Sequence, residues 1–241
     1  MQKMAYFVST RSSGTAFLMA FISGLVDVFG FIALSKLFTA HITGNIVIAI
    51  AEIIYHVPGV AAKLIALPVF ILIAILVTWV IEAHGQTTRL LRALLLMEAF
   101  LLLVFMLVGS YVIPMGRVGS WPYISVGMLA VAAMAIHNTL LRTFMVALPP
   151  CTVMTGNFSQ LIVDFVSYHW GKNLSYPVES LQASIANMHK FGNVLLGFML
   201  GGLIAAVGFS TIDFWIISVA AALLLFMSAK AHTPGSAETP R

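Results

Sequence analysis

The chain has 241 residues, of which 61% are hydrophobic and only 8% are charged, and its mean hydropathy is +1.03. A soluble domain carries about 25% charged residues, so this composition excludes a soluble globular protein and indicates an integral membrane protein. The formal net charge of +4 comes from basic residues scattered singly between apolar stretches, and it therefore predicts no nucleic-acid partner.

Six apolar runs are long enough to cross a bilayer as helices. They are Gly14 to Leu37, Ala61 to Ile81, Leu90 to Ile113, Pro122 to Leu148, Phe191 to Phe209 and Ile212 to Ala229. Two shorter apolar runs, from Ile42 to Tyr55 and from Met154 to Tyr168, follow the first and the fourth of these. The pattern predicts an all-α polytopic membrane protein.

The two short runs share a phrase that lies 112 residues apart in the chain. It occurs as Thr43-Gly44-Asn45 and as Thr155-Gly156-Asn157. A carboxylate, Glu52 or Asp164, follows each threonine by nine residues. The shared spacing indicates an ancient duplication, and polar interruptions in the repeats of a membrane protein are typical of a transporter's binding site.

Each short run fits a half-helix better than a full span. About 14 helical residues cover roughly 21 Å, whereas the hydrocarbon layer is about 30 Å thick. Thr43 and Thr155 are the predicted N-caps, since a threonine oxygen can accept from the free N–H groups of a first turn. Pro149 and Pro150 prevent the fourth span from continuing into the second half-helix.

Two topologies compete. Six spans with two re-entrant half-helices (43–56 and 155–168) put nine of the twelve basic residues inside, whereas eight full spans put eight inside. We therefore predict two inverted repeats of three spans each, residues 1–118 and 119–230, forming one structural domain with both termini in the cytoplasm. Residues 231–241 form a predicted disordered tail, and residues 171–187 a predicted cytoplasmic loop. The glycine-rich face from Gly192 to Gly202 predicts close helix packing, inside the protomer or in a homodimer.

The candidate site comprises polar residues at predicted membrane depth. The predicted substrate-binding residues are Asp27, His41, Thr43, Gly44, Asn45, His137, Asn138, Thr155, Gly156 and Asn157. Asp27, Glu52 and Asp164 are the candidates for proton coupling, because an intramembrane carboxylate costs roughly 3 kcal/mol or more against lipid and is usually functional. Two helix starts meeting at midplane would attract an anionic group.

The same residues could instead have purely structural roles. Asp27 could pair with Arg142, and Glu98 with Arg89 or Arg92, to hold helices together. In one alternative, the threonines and asparagines of the repeated phrase cap their helices and bind no ligand. In another, Glu52 and Asp164 are solvated and carry no proton. No catalytic motif, metal-ligand set or phosphate-binding loop occurs in the sequence, so we expect no enzyme, no metal and no cofactor.

The residues resemble the YoaK-like bacterial membrane proteins, a domain family of unknown function whose members are described as candidate permeases. The matching segments are Ser23 to Phe31, His41 to Asn45, the pair His137-Asn138, and Met154 to Asn157. The resemblance extends from about residue 14 to residue 229, with Ile42 where methionine is usual. It implies a bacterial inner-membrane location and names no substrate.

The leading hypothesis is a secondary transporter of a small polar or anionic solute, with proton coupling through Asp27. A membrane scaffold or accessory subunit is the first alternative, in which the repeated phrases only pack helices. An intramembrane enzyme using Asp27, His41 and His137 is the second alternative.

Overall fold

The computed structural model describes residues 12–172, 174 and 176–231, which form helices and no strands. The helices are α1 (Ser13–Ala33), α2 (Ile42–Ile53), α3 (Val60–His84), α4 (Thr88–Met115), α5 (Trp121–Thr143), α6 (Met154–Gly171), α7 (Val178–Ile212), a short 3₁₀ helix (Asp213–Ile216) and α8 (Ile217–Lys230). The predicted all-α class is confirmed. Residues 232–241 of the predicted tail lie outside the described residues.

Five helical stretches are long and apolar enough to cross a membrane, by length and composition. They are α1, α3, α4, α5 and the continuous stretch Val178–Lys230. Their length and apolarity indicate a membrane protein. The fifth stretch, which the sequence divides into two spans, turns back on itself at the 3₁₀ helix, where Asp213 has a φ of 51°.

Glycines allow α1 and α7 to pack at backbone distance. A Cβ added to Gly197 would collide with the carbonyl oxygen of Phe17, and one added to Gly201 with that of Phe21. One turn earlier in both helices, the side chain of Asn193 donates to that of Ser13. Because these contacts advance together along both helices, α1 and α7 run in the same direction.

The predicted glycine face therefore packs against α1 within the protomer. At Gly192 an added Cβ would meet nothing within 4 Å, so this end of the face is open. A homodimer through this face stays a prediction, and it would have to form without the contacts that Gly197 and Gly201 make to α1.

α5 and α4 also contact α1, whereas α3 packs on α5. In α5, the Tyr123 hydroxyl lies 3.4 Å from the carbonyl oxygen of Ala33, whereas His137 Nε2 lies 3.1 Å from that of Met19, so α5 runs opposite to α1. Phe29 of α1 meets Phe105 of α4 and Phe214 of the 3₁₀ helix edge to face, with ring centroids 5.8 and 4.9 Å apart. These aromatic contacts form one end of the core.

The short helices lie outside this bundle. α2 packs on α3, and α6 packs on α7. The predicted loop 171–187 is wrong over most of its length, because α7 begins at Val178. Glu179, Leu181, Gln182, Ala183 and Ala186 of this polar segment are good helix formers, and Pro177 immediately precedes the helix.

Candidate functional site

Asp27 fastens the segment between α1 and α2 against α1. Its side chain is buried, and Oδ1 accepts the N–H groups of Thr39 and Ala40 at 2.8 and 2.7 Å and the hydroxyl of Thr39 at 3.3 Å. Oδ2 lies 2.5 Å from Nδ1 of His41. The expected alternative partner, Arg142, is exposed and does not pair with Asp27. The carboxylate thus satisfies backbone donors that would otherwise be orphaned at the end of α1.

Asn45 holds the same segment from the other side. Its Oδ1 accepts the N–H of Phe38 at 2.8 Å, and its Nδ2 donates to the carbonyl of Phe38 at 2.7 Å. The asparagine is fully buried. Asn45 therefore fixes where α2 begins, and its side-chain amide is hydrogen-bonded to the protein's own backbone.

The predicted threonine caps are wrong. α2 begins at Ile42 and α6 at Met154, and neither helix has a side-chain cap bond, so Thr43 and Thr155 are the second residues of their helices. In this position their side chains point outward, and both are exposed. The asparagines, not the threonines, define the helix starts.

His41 is the partly open member of the first cluster. Its side chain is 31% exposed, and its ring meets Phe38 and Phe198 with centroids 5.7 and 5.8 Å apart. Only Nδ1 is engaged, by Asp27, so Nε2 has no hydrogen-bond partner among the described residues. With the exposed Thr43 and the half-buried Gly44 beside it, His41 forms the accessible surface of this cluster.

The second half repeats the asparagine contact. Asn157 Nδ2 donates to the carbonyl of Pro150 at 2.6 Å, and both residues follow their counterparts Asn45 and Phe38 by 112 positions. Asn138 replaces the carboxylate, since its Oδ1 accepts the hydroxyl of Thr152 at 2.8 Å. The two starts are thus built on one plan with different chemistry.

The start of α6 is more open than that of α2. Thr155 and Gly156 are exposed, and a Cβ added to Gly156 would meet nothing within 4 Å. A cavity of about 280 Å³ adjoins the preceding segment and is lined in part by Arg142, Pro149 and Pro150. No hydrogen bond joins this cluster to the one around Asp27 among the described residues.

The carboxylates further along the short helices also differ. Glu52 is buried and forms ion pairs with Lys63 at 2.8 Å and with Lys36 at 3.5 Å. Asp164 has amide partners instead, Gln160 at 3.0 Å and Asn187 at 3.4 Å. Neither carboxylate is simply solvated. Lys63 was missed by the sequence reasoning, although a lysine within a predicted span was the signal that could have found it.

His137 belongs to a third cluster. Its Nδ1 lies 2.7 Å from Oε1 of Glu98, and its Nε2 lies 3.0 Å from the hydroxyl of Ser23. All three side chains have no exposed surface. Arg89 and Arg92, the expected partners of Glu98, do not pair with it. Although His137 and Asn138 are adjacent in sequence, only Asn138 reaches the second helix start.

Comparison with known proteins gives one match. A family model described as a protein of unknown function (DUF1275) matches residues 15–229. This match confirms the family resemblance drawn from the repeated phrases. No curated protein and no solved structure matches the chain.

Proposed function

We propose that this chain, which belongs to the DUF1275 family of proteins of unknown function, is a secondary transporter of a small polar or anionic solute. It would lie in a bacterial inner membrane with both termini in the cytoplasm. Two inverted halves of three spans would each carry one re-entrant helix, α2 or α6. The observation that carries the proposal is the pair of helices α2 and α6, of 12 and 18 residues, which begin partway along a neighbouring span and have exposed polar residues at their starts.

The path of α2 supports a re-entrant helix. Its start lies beside Asp27, six residues before the end of α1, and its other end lies beside Lys36, three residues after α1. Twelve residues of α-helix cover about 18 Å, which is too short to cross about 30 Å of hydrocarbon. The chain would therefore enter and leave on the same side of the bilayer.

The path of α6 supports the same arrangement on the opposite side. Its start lies near Asn138, five residues before the end of α5, and Asp164 near its other end contacts Asn187 of α7. Asn187 precedes Asn193, which contacts Ser13 at the first turn of α1. α6 would thus return to the side where α1 begins, whereas α2 returns to the side where α1 ends.

The open groups at the helix starts suit a polar or anionic solute. The first N–H groups of a helix carry about half a positive charge and attract anions. His41 adds a partly exposed imidazole at one start, and Thr43 and Thr155 add an exposed hydroxyl at each. A solute would meet α2 from one side and α6 from the other as the halves rock.

Proton coupling would involve Asp27 and His41. Their 2.5 Å contact joins a buried carboxylate to an imidazole whose Nε2 is free to exchange a proton with water or solute. Glu52 and Asp164, which we predict to assist, are held by Lys63 and by amides respectively.

A membrane scaffold is the second candidate, and one observation favours it. Asn45 makes both of its hydrogen bonds to Phe38, and Oδ1 of Asp27 is used by backbone and hydroxyl donors of its own chain. In a scaffold these bonds would only lock the helices. Access of water to the helix starts distinguishes the two functions.

The experiment is cysteine accessibility at the exposed threonines. Thr43→Cys and Thr155→Cys are made in a Cys151→Ala background, and a membrane-impermeant thiol reagent is added to right-side-out and inverted vesicles. We expect Thr43→Cys to react from the periplasmic side and Thr155→Cys from the cytoplasmic side. Ala49→Cys, at a buried position of α2, is the matched silent control. Reaction of neither threonine position would support the scaffold, and reaction of both from one side would contradict the inverted repeats.

Transport is then tested in proteoliposomes that contain a trapped pH-sensitive dye. Acetate, phosphate and amino acids are added in turn with and without a pH gradient. We expect at least one of them to move protons with the wild-type protein and none to do so with Asp27→Asn. Coupled uptake that Asp27→Asn leaves unchanged would contradict the proposed role of Asp27.

A further inference from the structure

The third cluster, formed by Ser23, Glu98 and His137, lies between the two halves of the chain. Ser23 in α1 and Glu98 in α4 belong to the first half, whereas His137 in α5 belongs to the second. The Ser-His-Glu order resembles that of a nucleophile with its base. The carbonyl of Met19, 3.1 Å from Nε2 of His137, gives the cluster a different chemistry.

The contacts fix the protons on the imidazole. A carbonyl oxygen can only accept, so Nε2 of His137 carries a hydrogen and donates it to Met19. Nε2 is therefore not a base for Ser23. The 2.7 Å contact between Nδ1 and Oε1 of Glu98 requires a second proton between these two atoms. The Glu98–His137 pair thus holds one shared proton.

The surroundings of Glu98 determine where the shared proton lies. Oε2 is buried and has no hydrogen-bond partner among the described residues. A carboxylate oxygen without a donor in an apolar interior costs far more than a neutral carbonyl oxygen in the same place. The proton therefore lies on Oε1 of Glu98, and the pair is a neutral acid hydrogen-bonded to a neutral imidazole.

Other ionisable side chains on the neighbouring helices are engaged or exposed elsewhere. Asp27 contacts His41, Lys63 contacts Glu52, and Tyr123 contacts Ser35. The remaining ionisable residues of α3, α4, α5 and α8 are exposed, namely Glu82, His84, Arg89, Arg92, Tyr111, Arg142 and Lys230. On α7, Glu179, His189 and Lys190 all precede Asn193, which contacts Ser13, ten residues before Ser23 in α1. No second charge is therefore in place to stabilise an ionised Glu98.

We propose that Glu98 and His137 form a proton-binding site at the contact between the halves, loaded while the contact is sealed and unloaded when water enters it. On opening, the Oε1–H bond of Glu98 breaks and the proton passes to water, leaving a hydrated carboxylate. On closing, a hydronium ion returns a proton to Oε1 and restores the O–H bond. That this site couples protons to solute movement rests on the proposed transporter function, whereas proton binding itself does not.

Infrared spectroscopy of the full chain in liposomes tests the site. We expect a carbonyl stretch from one protonated carboxylic acid at neutral pH, shifted by ¹³C-labelled glutamate and lost in Glu98→Gln. Glu82→Gln, at an exposed position of α3, is the matched control and should retain the band. If Glu98→Gln does not fold, the ¹³C shift in the wild-type protein still assigns the band to glutamate. Absence of such a band overturns the proposal.

Transfer into D₂O tests unloading. We expect the band of the folded wild-type protein to shift as the shared proton is replaced by deuterium, because the site opens to water. A band that never shifts would mean a permanently sealed structural bond and would overturn the proposal. Cysteine accessibility at Thr43 and Thr155 does not depend on this band. If neither cysteine reacts while the infrared band is present, the transporter function is contradicted and the proton-binding site is still supported.

Discussion

The starts of α2 and α6 share one backbone contact and differ in almost everything around it. Asn45 and Asn157 each donate to the carbonyl seven residues earlier, at 2.7 and 2.6 Å. The segment before α2 is held by the carboxylate of Asp27. The segment before α6 is held by the amide of Asn138 and contains the consecutive prolines Pro149 and Pro150. The comparison teaches that the two starts share the hydrogen bond that shapes the backbone and differ in the charge of their surroundings.

The largest expected difference lies between Asp27 and Asn138. Asp27→Ala would leave the N–H groups of Thr39 and Ala40 without their acceptor, at about 1–3 kcal/mol each, so we expect a loss of about 4 kcal/mol in unfolding free energy. Asn138→Ala would remove the bond from Thr152 and the bond that Asn138 donates to the carbonyl of Met134 in its own helix, and it should cost about 1 kcal/mol. Denaturant unfolding in detergent measures both values.

Asp27→Asn is the control for this prediction, because its amide oxygen can still accept the two backbone N–H groups. It should fall between the wild type and Asp27→Ala. Equal losses for Asp27→Ala and Asn138→Ala would mean that the two segments are held alike, contrary to the comparison.

The next largest difference concerns the carboxylates Glu52 and Asp164. Glu52→Gln would leave the ammonium group of Lys63, which is only 1% exposed, without its buried counter-charge. We expect a loss of about 3 kcal/mol, as for other buried pairs broken on one side. Asp164→Asn keeps one of the two acceptor oxygens, and the amide of Gln160 or of Asn187 can turn its own oxygen toward the new N–H₂ group, so the unfolding free energy should change by about 0.5 kcal/mol or less.

Replacing the buried cation gives the matching control. The double variant Glu52→Gln, Lys63→Met should recover most of the stability that Glu52→Gln loses, since no charge remains buried. A double variant no more stable than Glu52→Gln alone would show that the loss does not come from unpaired Lys63.

The smallest expected difference lies between the two asparagines. Asn45→Ala removes two hydrogen bonds to Phe38 and should cost about 2 kcal/mol. Asn157→Ala removes one bond to Pro150, which has no N–H to donate, and should cost about 1 kcal/mol. The same unfolding measurement compares them.

Pro150→Ala sharpens this last prediction, because it supplies the missing N–H. In a Pro150→Ala background, Asn157→Ala should cost about as much as Asn45→Ala does, since Asn157 would then make two bonds. An unchanged cost in that background would show that the second N–H does not reach Oδ1.

The repeated phrase was enough to predict the two helices that follow the first and the fourth spans, although α2 has 12 residues and α6 has 18 where about 14 were predicted for each. Composition predicted a helical membrane protein, because long apolar runs can cross a bilayer only as helices or closed barrels. The predicted spans agree with α1, α3 and α4 to within a few residues. The loop at 171–187 was mispredicted because polar residues can form a helix wherever one face packs, as α7 does against α6.

Partners of the polar residues were beyond the sequence. Asp27 pairs with His41 and not with Arg142, and Glu98 pairs with His137, 39 residues away, and not with Arg92 one turn and a half before it. Which polar side chains meet depends on how each helix is rotated about its axis and shifted along its neighbours. Those quantities are set by packing over whole helix faces, as where glycines bring α1 against α7.

The sequence by itself indicated a membrane protein, the helical class and the repeated Thr-Gly-Asn phrase, because each follows from local composition or from spacing along the chain. Only the tertiary structure decided that the asparagines define the helix starts, that Lys63 is buried, and that a carboxyl group and an imidazole meet between the halves. The physical reason is that hydrogen bonds require contact within about 3 Å, and such contacts form only after the apolar faces have fixed the register of the helices.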